Sequence, residues 1–356
     1  MYVITLSFLT AFALTYFAIP SIIHIARTKH LYDEPGERSS HKVRTPSLGG
    51  VGIFAGAIFS IVLWTPFHDF GNLQYILCAL LILFLIGAKD DISPVSPSKK
   101  LVGQVMAAAI LVFKSGIRLD SLYGLLGFHG MLPDWLAVLI SIFTILVITN
   151  AFNLIDGING LAGSVGVLIA GVLGSWFFAT GYIEFATVAF ATVGATLAFL
   201  KYNYSPAQLF MGDTGSLILG LVSAILAIKF IDCNFELPRT NPFRLTGGPA
   251  VAIGILIIPL FDTMRVFTTR ILRGSSPFEA DRRHIHHLLI DYGFTHMHAT
   301  GVLVTVNIFY ICLVLGLDGY LNMHTLILLE LALASAGTYY LHREVNIKKM
   351  QSPAVR

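Results

Sequence analysis

Long apolar runs separated by short polar stretches set the pattern of this 356-residue chain. The runs fall near residues 3–25, 48–65, 73–88, 101–115, 135–152, 161–180, 183–200, 215–231, 249–270, 299–317 and 321–341. A membrane-crossing helix needs about 20 largely apolar residues, so the pattern predicts an all-α, polytopic membrane bundle of about eleven transmembrane helices. The run at 101–115 is the weakest and spans only if Lys114 snorkels to the headgroups. No Lys or Arg precedes the first run, and from Val3 to Ile23 it is longer than the apolar core of a secretion signal. It is expected to be a retained first helix. No repeat, low-complexity stretch or long linker interrupts the series, so one bundle is expected over 1–341, followed by a short basic tail, 342–356, at the lipid headgroups.

Composition sharpens this. Apolar residues make up 55% of the chain and charged ones 12%, about half the roughly 25% of soluble domains, which excludes an ordinary soluble protein. The net charge is only +3, and the basic residues gather in no aromatic-interleaved tract of the kind a nucleic-acid groove needs. Cys78, Cys233 and Cys312 lie far apart without CxxC spacing, so they indicate neither a disulfide framework nor zinc and read as small buried hydrophobes. Lys and Arg concentrate on the cytoplasmic side of membrane proteins. With eleven spans, one face receives 18 of them and the other 5. The N-terminus is therefore expected outside and the C-terminus in the cytoplasm.

On that assignment the acidic and histidine clusters all fall on the cytoplasmic face. Asp90 and Asp91 are adjacent carboxylates that repel unless a cation or shared proton relieves them, although a solvated loop running into Ser93-Pro94 would also carry them. Asn153, Asp156, Gly157, Asn159 and Gly160 offer oxygen ligands beside an apolar helix, suited to a hard cation such as magnesium completed by substrate phosphates, or to a plain polar turn. Asp213 sits between glycines that allow close backbone approach, which is also ordinary turn chemistry. Arg282, Arg283, His284, His286 and His287 suit an anionic phosphate better than zinc, since no cysteine lies near. Asp262 and Arg265, three apart near a helix end, fit an interfacial ion pair. Together these are the parts of a phosphoryl-transfer centre, whose catalysis is mostly positioning and charge neutralisation.

Five ordered motifs then carry a resemblance: His41-Lys42-Val-Arg44-Thr-Pro46-Ser-Leu-Gly49-Gly50, Asp90-Asp91, Asn153-Leu-Ile-Asp156-Gly-Ile-Asn159-Gly-Leu, Phe210-Met-Gly-Asp213-Thr-Gly-Ser and His284-Ile-His-His287. Over roughly residues 30–300 the chain resembles the polyprenyl-phosphate N-acetylhexosamine-1-phosphate transferases. The stretch from Ser276 to His287 is similar to the branch using UDP-N-acetylglucosamine. The resemblance implies transfer of N-acetylglucosamine 1-phosphate from UDP-N-acetylglucosamine to undecaprenyl phosphate with release of UMP. It also implies magnesium, with manganese as a substitute, a bacterial inner-membrane location with the site facing the cytoplasm, and a homodimer as the candidate assembly. The product would initiate a cell-surface polysaccharide such as O-antigen.

Roles follow by position. Asp213 matches the family's principal magnesium ligand, Asn153 the amide completing the metal and diphosphate site, and Asp90 the residue that deprotonates or positions the lipid phosphate, supported by Asp91. Asp156 falls in the same polar site, and Asn159 lies near the uracil where many relatives carry Asp. Lys42, Arg282, His284, His286 and His287 match positions meeting phosphates or sugar, with Asp262 and Arg265 secondary. Two rivals remain. A phospho-N-acetylmuramoyl-pentapeptide transferase would carry a different histidine loop. A secondary transporter would need midplane polar residues or an inverted repeat.

Overall fold

The computed structural model describes residues 2–33, 45–66, 70–274 and 283–351. Every apolar run becomes helix. The first eight are α1 (Tyr2–Thr28), α2 (Gly49–Trp64), α3 (Leu73–Ile92), α4 (Pro97–Lys114), α5 (Asp134–Ile155), α6 (Leu161–Thr180), α7 (Ile183–Asn203) and α8 (Gly212–Glu236). The rest are α9 (Gly248–Ile255), α10 (Ile257–Leu272), α11 (Ile285–Tyr292), α12 (His296–Leu317) and α13 (Met323–Gln351). A two-residue antiparallel ladder, β1 (Tyr32–Asp33) with β2 (Thr45–Pro46), pairs Tyr32 with Pro46 and Asp33 with Thr45.

The chain is a polytopic helical membrane protein. Among the described residues six helices are long and apolar enough to cross a bilayer, α1, α5, α6, α7, α8 and α12, and the bent α9–α10 pair makes a seventh if it is one span. Helix α4 carries Lys99, Lys100 and Lys114 within 18 residues, and α2 has only 16. The run at 249–270 is not one straight helix: α9 and α10 meet at 83°. Pro259 explains the break, because it has no N–H to give the carbonyl of Ile255 four residues earlier. The Asn307 side-chain amide of α12 donates to that carbonyl instead, at 3.1 Å. At the C-terminus, residues 342–351 continue α13 as helix.

Helix α8 is apolar all round and is the most deeply buried of the spans, as such a helix must be. Helices α2, α3, α5, α6, α7 and α9 surround it. Two glycines let backbones meet at its first turn. A Cβ on Gly50 of α2 would lie 2.1 Å from the Gly215 nitrogen, and one on Gly87 of α3 would lie 2.5 Å from the Thr214 Cα. Such contact compensates for the weak apolar driving force between helices in lipid.

Successive connections gather at opposite ends of the bundle. At one end Asp91 bonds to Asp213 and Thr214, Asn203 to Gly160 and Thr300 to Asn159. At the other, Arg118 pairs with Asp134, Tyr123 donates to Asp232, Thr246 and Gly247 donate to Asp318, and His324 accepts from the Leu126 N–H.

Candidate active site

The first turn of α8 is built before anything can bind to it. Gly212 adopts φ +72° to enter the helix, and the N–H groups of Gly49 and Gly50 donate to the carbonyls of Phe210 and Met211 at 2.9 and 2.8 Å. The Asp91 carboxylate of α3 then closes the helix start. Its Oδ1 accepts from the Asp213 N–H at 2.7 Å, and its Oδ2 from the Thr214 N–H at 3.1 Å and the Thr214 hydroxyl at 2.6 Å. Negative charge is favoured at a helix N-terminus. Both oxygens of Asp91 are thus engaged in fixing the backbone of Asp213 and Thr214, which is a positioning contact. Asp91→Ala is expected to cost about 1–3 kcal/mol, the usual loss when buried donors are stranded, read as a lower thermal midpoint in detergent. Asp91→Asn should recover part of it.

That arrangement aims Asp213 into a cavity of about 540 Å³ bordered by Asp90, Asp91, Asn153, Asp156, Asn159, Asp213 and His287. The ends of α3, α5, α8 and α11 therefore bring together most of the polar residues singled out in the sequence. Asp213 Oδ1 accepts from the Asn153 amide at 3.0 Å, and the same amide donates to the Ser216 hydroxyl at 3.0 Å. Asp90 Oδ1 accepts from the Val95 N–H at 2.6 Å. Burial raises the Asp91 carboxyl, which lies beyond the apolar part of α3, to about 7 against the lowering effect of its Thr214 bonds. Burial, then the charges of Asp213 and Asp91, push the Asp156 carboxyl up to about 8. Crowded carboxylates of this kind are the setting in which a cation stabilises the ionised form.

One cation is already there. The Lys100 ammonium, on the first turn of α4, lies 2.7 Å from Asp90 Oδ2 and 2.5 Å from Asp213 Oδ2. Two carboxylates that converge on an ammonium, with the Asn153 amide beside them, fit the hard oxygen set of a divalent cation. Among the described residues no three His, Cys, Asp or Glu side chains close on one point, so substrate oxygens would have to complete the shell, as is usual for magnesium.

The histidine motif divides. Asp262 is 2% exposed. Its Oδ2 is 2.9 Å from His284 Nδ1, and its Oδ1 accepts from Arg265 Nη2 at 2.9 Å and from the Ile285 N–H at 3.0 Å. Arg265 also donates to the Arg283 carbonyl. Asp262 and Arg265 are therefore the anchor of the motif. His284 points at that anchor, and His286 stacks on it with ring centroids 5.7 Å apart. The His286 ring presses on Gly157, where a Cβ would come within 2.2 Å of Nε2. Burial lowers His286 to about 3, so its ring is neutral. Of the three histidines only His287 borders the cavity. Lys42 and Arg282, and the loop from Ser276 to Asp281, lie outside the described residues.

The sequence reading missed several members. Lys100 is one: its signal is a lysine in the first turn of a helix, where the dipole disfavours a cation unless acids answer it. Asn203 is another, its side chain accepting from the Gly160 N–H at 2.7 Å and donating to the Leu209 carbonyl at 2.9 Å, which holds the 157–160 turn. Tyr32 and His296 also border the cavity.

Comparison with known proteins adds the family. The family model described as glycosyl transferase family 4 matches residues 73–231, which contain every acidic residue of the cavity. An undecaprenyl-phosphate alpha-N-acetylglucosaminyl 1-phosphate transferase of Yersinia pestis is 30% identical over 280 residues, covering 78% of this chain and 73% of the relative. A protein of the same name from Escherichia coli (strain K12) is 29% identical over 286 residues, 79% of this chain and 75% of the relative. A probable undecaprenyl-phosphate N-acetylglucosaminyl 1-phosphate transferase of Bacillus subtilis (strain 168) is 28% identical over 307 residues, 86% of this chain and 83% of the relative. The chain belongs to glycosyl transferase family 4. It is an enzyme of the transferase class.

Proposed function

We propose that this enzyme transfers N-acetylglucosamine 1-phosphate from UDP-N-acetylglucosamine to undecaprenyl phosphate, releasing UMP and initiating a cell-surface polysaccharide. The observation that carries the reading is the meeting of Asp90, Asp213, Asn153 and Lys100 beside one polar cavity at the end of an apolar bundle. A site there can take a soluble nucleotide from one side and a lipid headgroup from the other. The names of the relatives supply the acceptor, undecaprenyl phosphate, and the group transferred, N-acetylglucosaminyl 1-phosphate.

Within the cavity, Asp90 is the group that positions the lipid phosphate and accepts its proton. Asp213 and Asn153 are the residues that would hold magnesium. When bound, magnesium neutralises the donor diphosphate and the charge developing on UMP. Lys100 and His287 face phosphate oxygens, and Asn159 meets the base. The bundle is read with eleven crossings, counting α9–α10 as one and including α2, α3, α4 and α13. The 18 to 5 division of Lys and Arg supports a cytoplasmic cavity in the bacterial inner membrane, with the N-terminus outside and the C-terminus within. The relatives, all named as transferases, do not favour a transporter reading.

The test is UMP release by the detergent-purified protein with undecaprenyl phosphate and magnesium, offered UDP-N-acetylglucosamine or UDP-N-acetylmuramoyl-pentapeptide separately. Release with the first donor alone is the expected result. Release with the second alone would keep the chemistry and overturn the donor. Release with neither, from a monodisperse sample, would overturn the function.

A further inference from the structure

We infer that Lys100 is the resident counter-ion of Asp90 and Asp213, displaced when a divalent cation binds at Asp213 and thereby freed toward the donor diphosphate. The inference rests on the metal reading above and adds a linkage between the two ligands. Asp90 and Asp213 come from helices more than a hundred residues apart in sequence, and each turns one carboxylate oxygen to the same ammonium, at 2.7 and 2.5 Å. Their other oxygens are taken, Asp90 Oδ1 by the Val95 N–H and Asp213 Oδ1 by the Asn153 amide. The oxygen a metal ion held by Asp213 and Asn153 would use is therefore Asp213 Oδ2, which Lys100 holds. An ammonium and a divalent cation cannot share that point, since like charges so close repel strongly.

The lysine is built to leave. It extends from the first turn of α4 on a flexible four-carbon stem, and its side chain is 25% exposed, so it can swing without unpacking the bundle. It carries a single charge, which leaves the pair of carboxylates under-neutralised and receptive to a double one. Once released from Asp90 and Asp213, which both border the cavity, the ammonium is left to meet the next incoming anion, the diphosphate. Cation binding would then prepare a phosphate contact. By linkage the nucleotide would strengthen cation binding by the same factor. Lys100 acts here through the metal and the diphosphate, as a positioning residue.

The experiment measures binding, not turnover. Manganese is titrated into full-length, detergent-purified wild type, Lys100→Met and Lys100→Arg, with bound metal read by electron paramagnetic resonance, first alone and then with saturating UDP. Lys100→Met is expected to bind manganese alone about tenfold more tightly than wild type, because the competitor is gone, while Lys100→Arg keeps the charge and stays near wild type. UDP is expected to tighten manganese binding severalfold in wild type and much less in Lys100→Met. Should Met disturb folding, Lys100→Gln gives the same comparison with a neutral polar side chain. Equal or weaker manganese affinity in the neutral variants, or an unchanged UDP effect, overturns the counter-ion role. If folded wild type binds no manganese with or without UDP, the metal reading itself fails, an outcome distinct from the first.

Discussion

Asp213→Ala is expected to reduce sugar-phosphate transfer by more than about a thousandfold, the loss typical of removing a principal electrostatic element from a charge-transfer site. The side chain is the meeting point of the Asn153 amide and the Lys100 ammonium. Asp91 cannot replace it, because it is committed to the helix start through both of its oxygens. Folding should survive. The Asp213 backbone N–H remains capped by Asp91, and the glycine contacts at Gly50 and Gly87 involve only backbone of residues 213 to 215. The thermal midpoint in detergent is therefore expected within a few degrees of wild type while UMP release disappears. Turnover above a few per cent at saturating magnesium would show that the metal and diphosphate are held elsewhere.

Asp262→Ala should have the largest effect on stability, about 3–5 kcal/mol, the usual result of removing one member of a buried ionic cluster. Asp262 is 2% exposed and answers His284, Arg265 and the Ile285 N–H together. Without it, Arg265 keeps its charge beside the Arg283 carbonyl with no acid to balance it. The start of α11 also loses its acceptor, so His287 loses its fixed station at the cavity and transfer should fall as well. A drop of several degrees in thermal midpoint, with Asp262→Asn intermediate because it can still accept from Ile285, is the expected pattern. A wild-type midpoint for Asp262→Ala would sink the anchor assignment.

These two residues also mark what the sequence could and could not disclose. Asp213 was singled out through the ordered motif that carries the family resemblance, since an acid between glycines is also ordinary turn chemistry. Asp262 was visible only as one partner of Arg265, since its contact with His284 spans 22 residues and depends on the bend at Leu256. That bend had a signal in Pro259, but an apolar run reads the same whether straight or broken. Helix α11 escaped because eight residues with two histidines make no apolar run. Lys100 was counted only as charge. Its meaning requires α3 and α4 to fold back as a hairpin that returns residue 100 to residue 90 and across to residue 213. Helix existence was thus a local property and readable, while pairings across the bundle were not.

The short second helix has a consequence for the surrounding bilayer. At 16 residues α2 is about 24 Å long, several ångström less than the roughly 30 Å hydrocarbon layer, and it turns Phe59, Val62 and Leu63 outward to the acyl chains. If α2 is one of the crossings of the proposed eleven, lipid beside it would thin to match. Ser47, two residues before α2 begins, borders the cavity. The membrane surface would therefore dip on the flank where Asp90 and Asp213 wait, and a lipid headgroup drifting there would descend toward them through bilayer deformation alone.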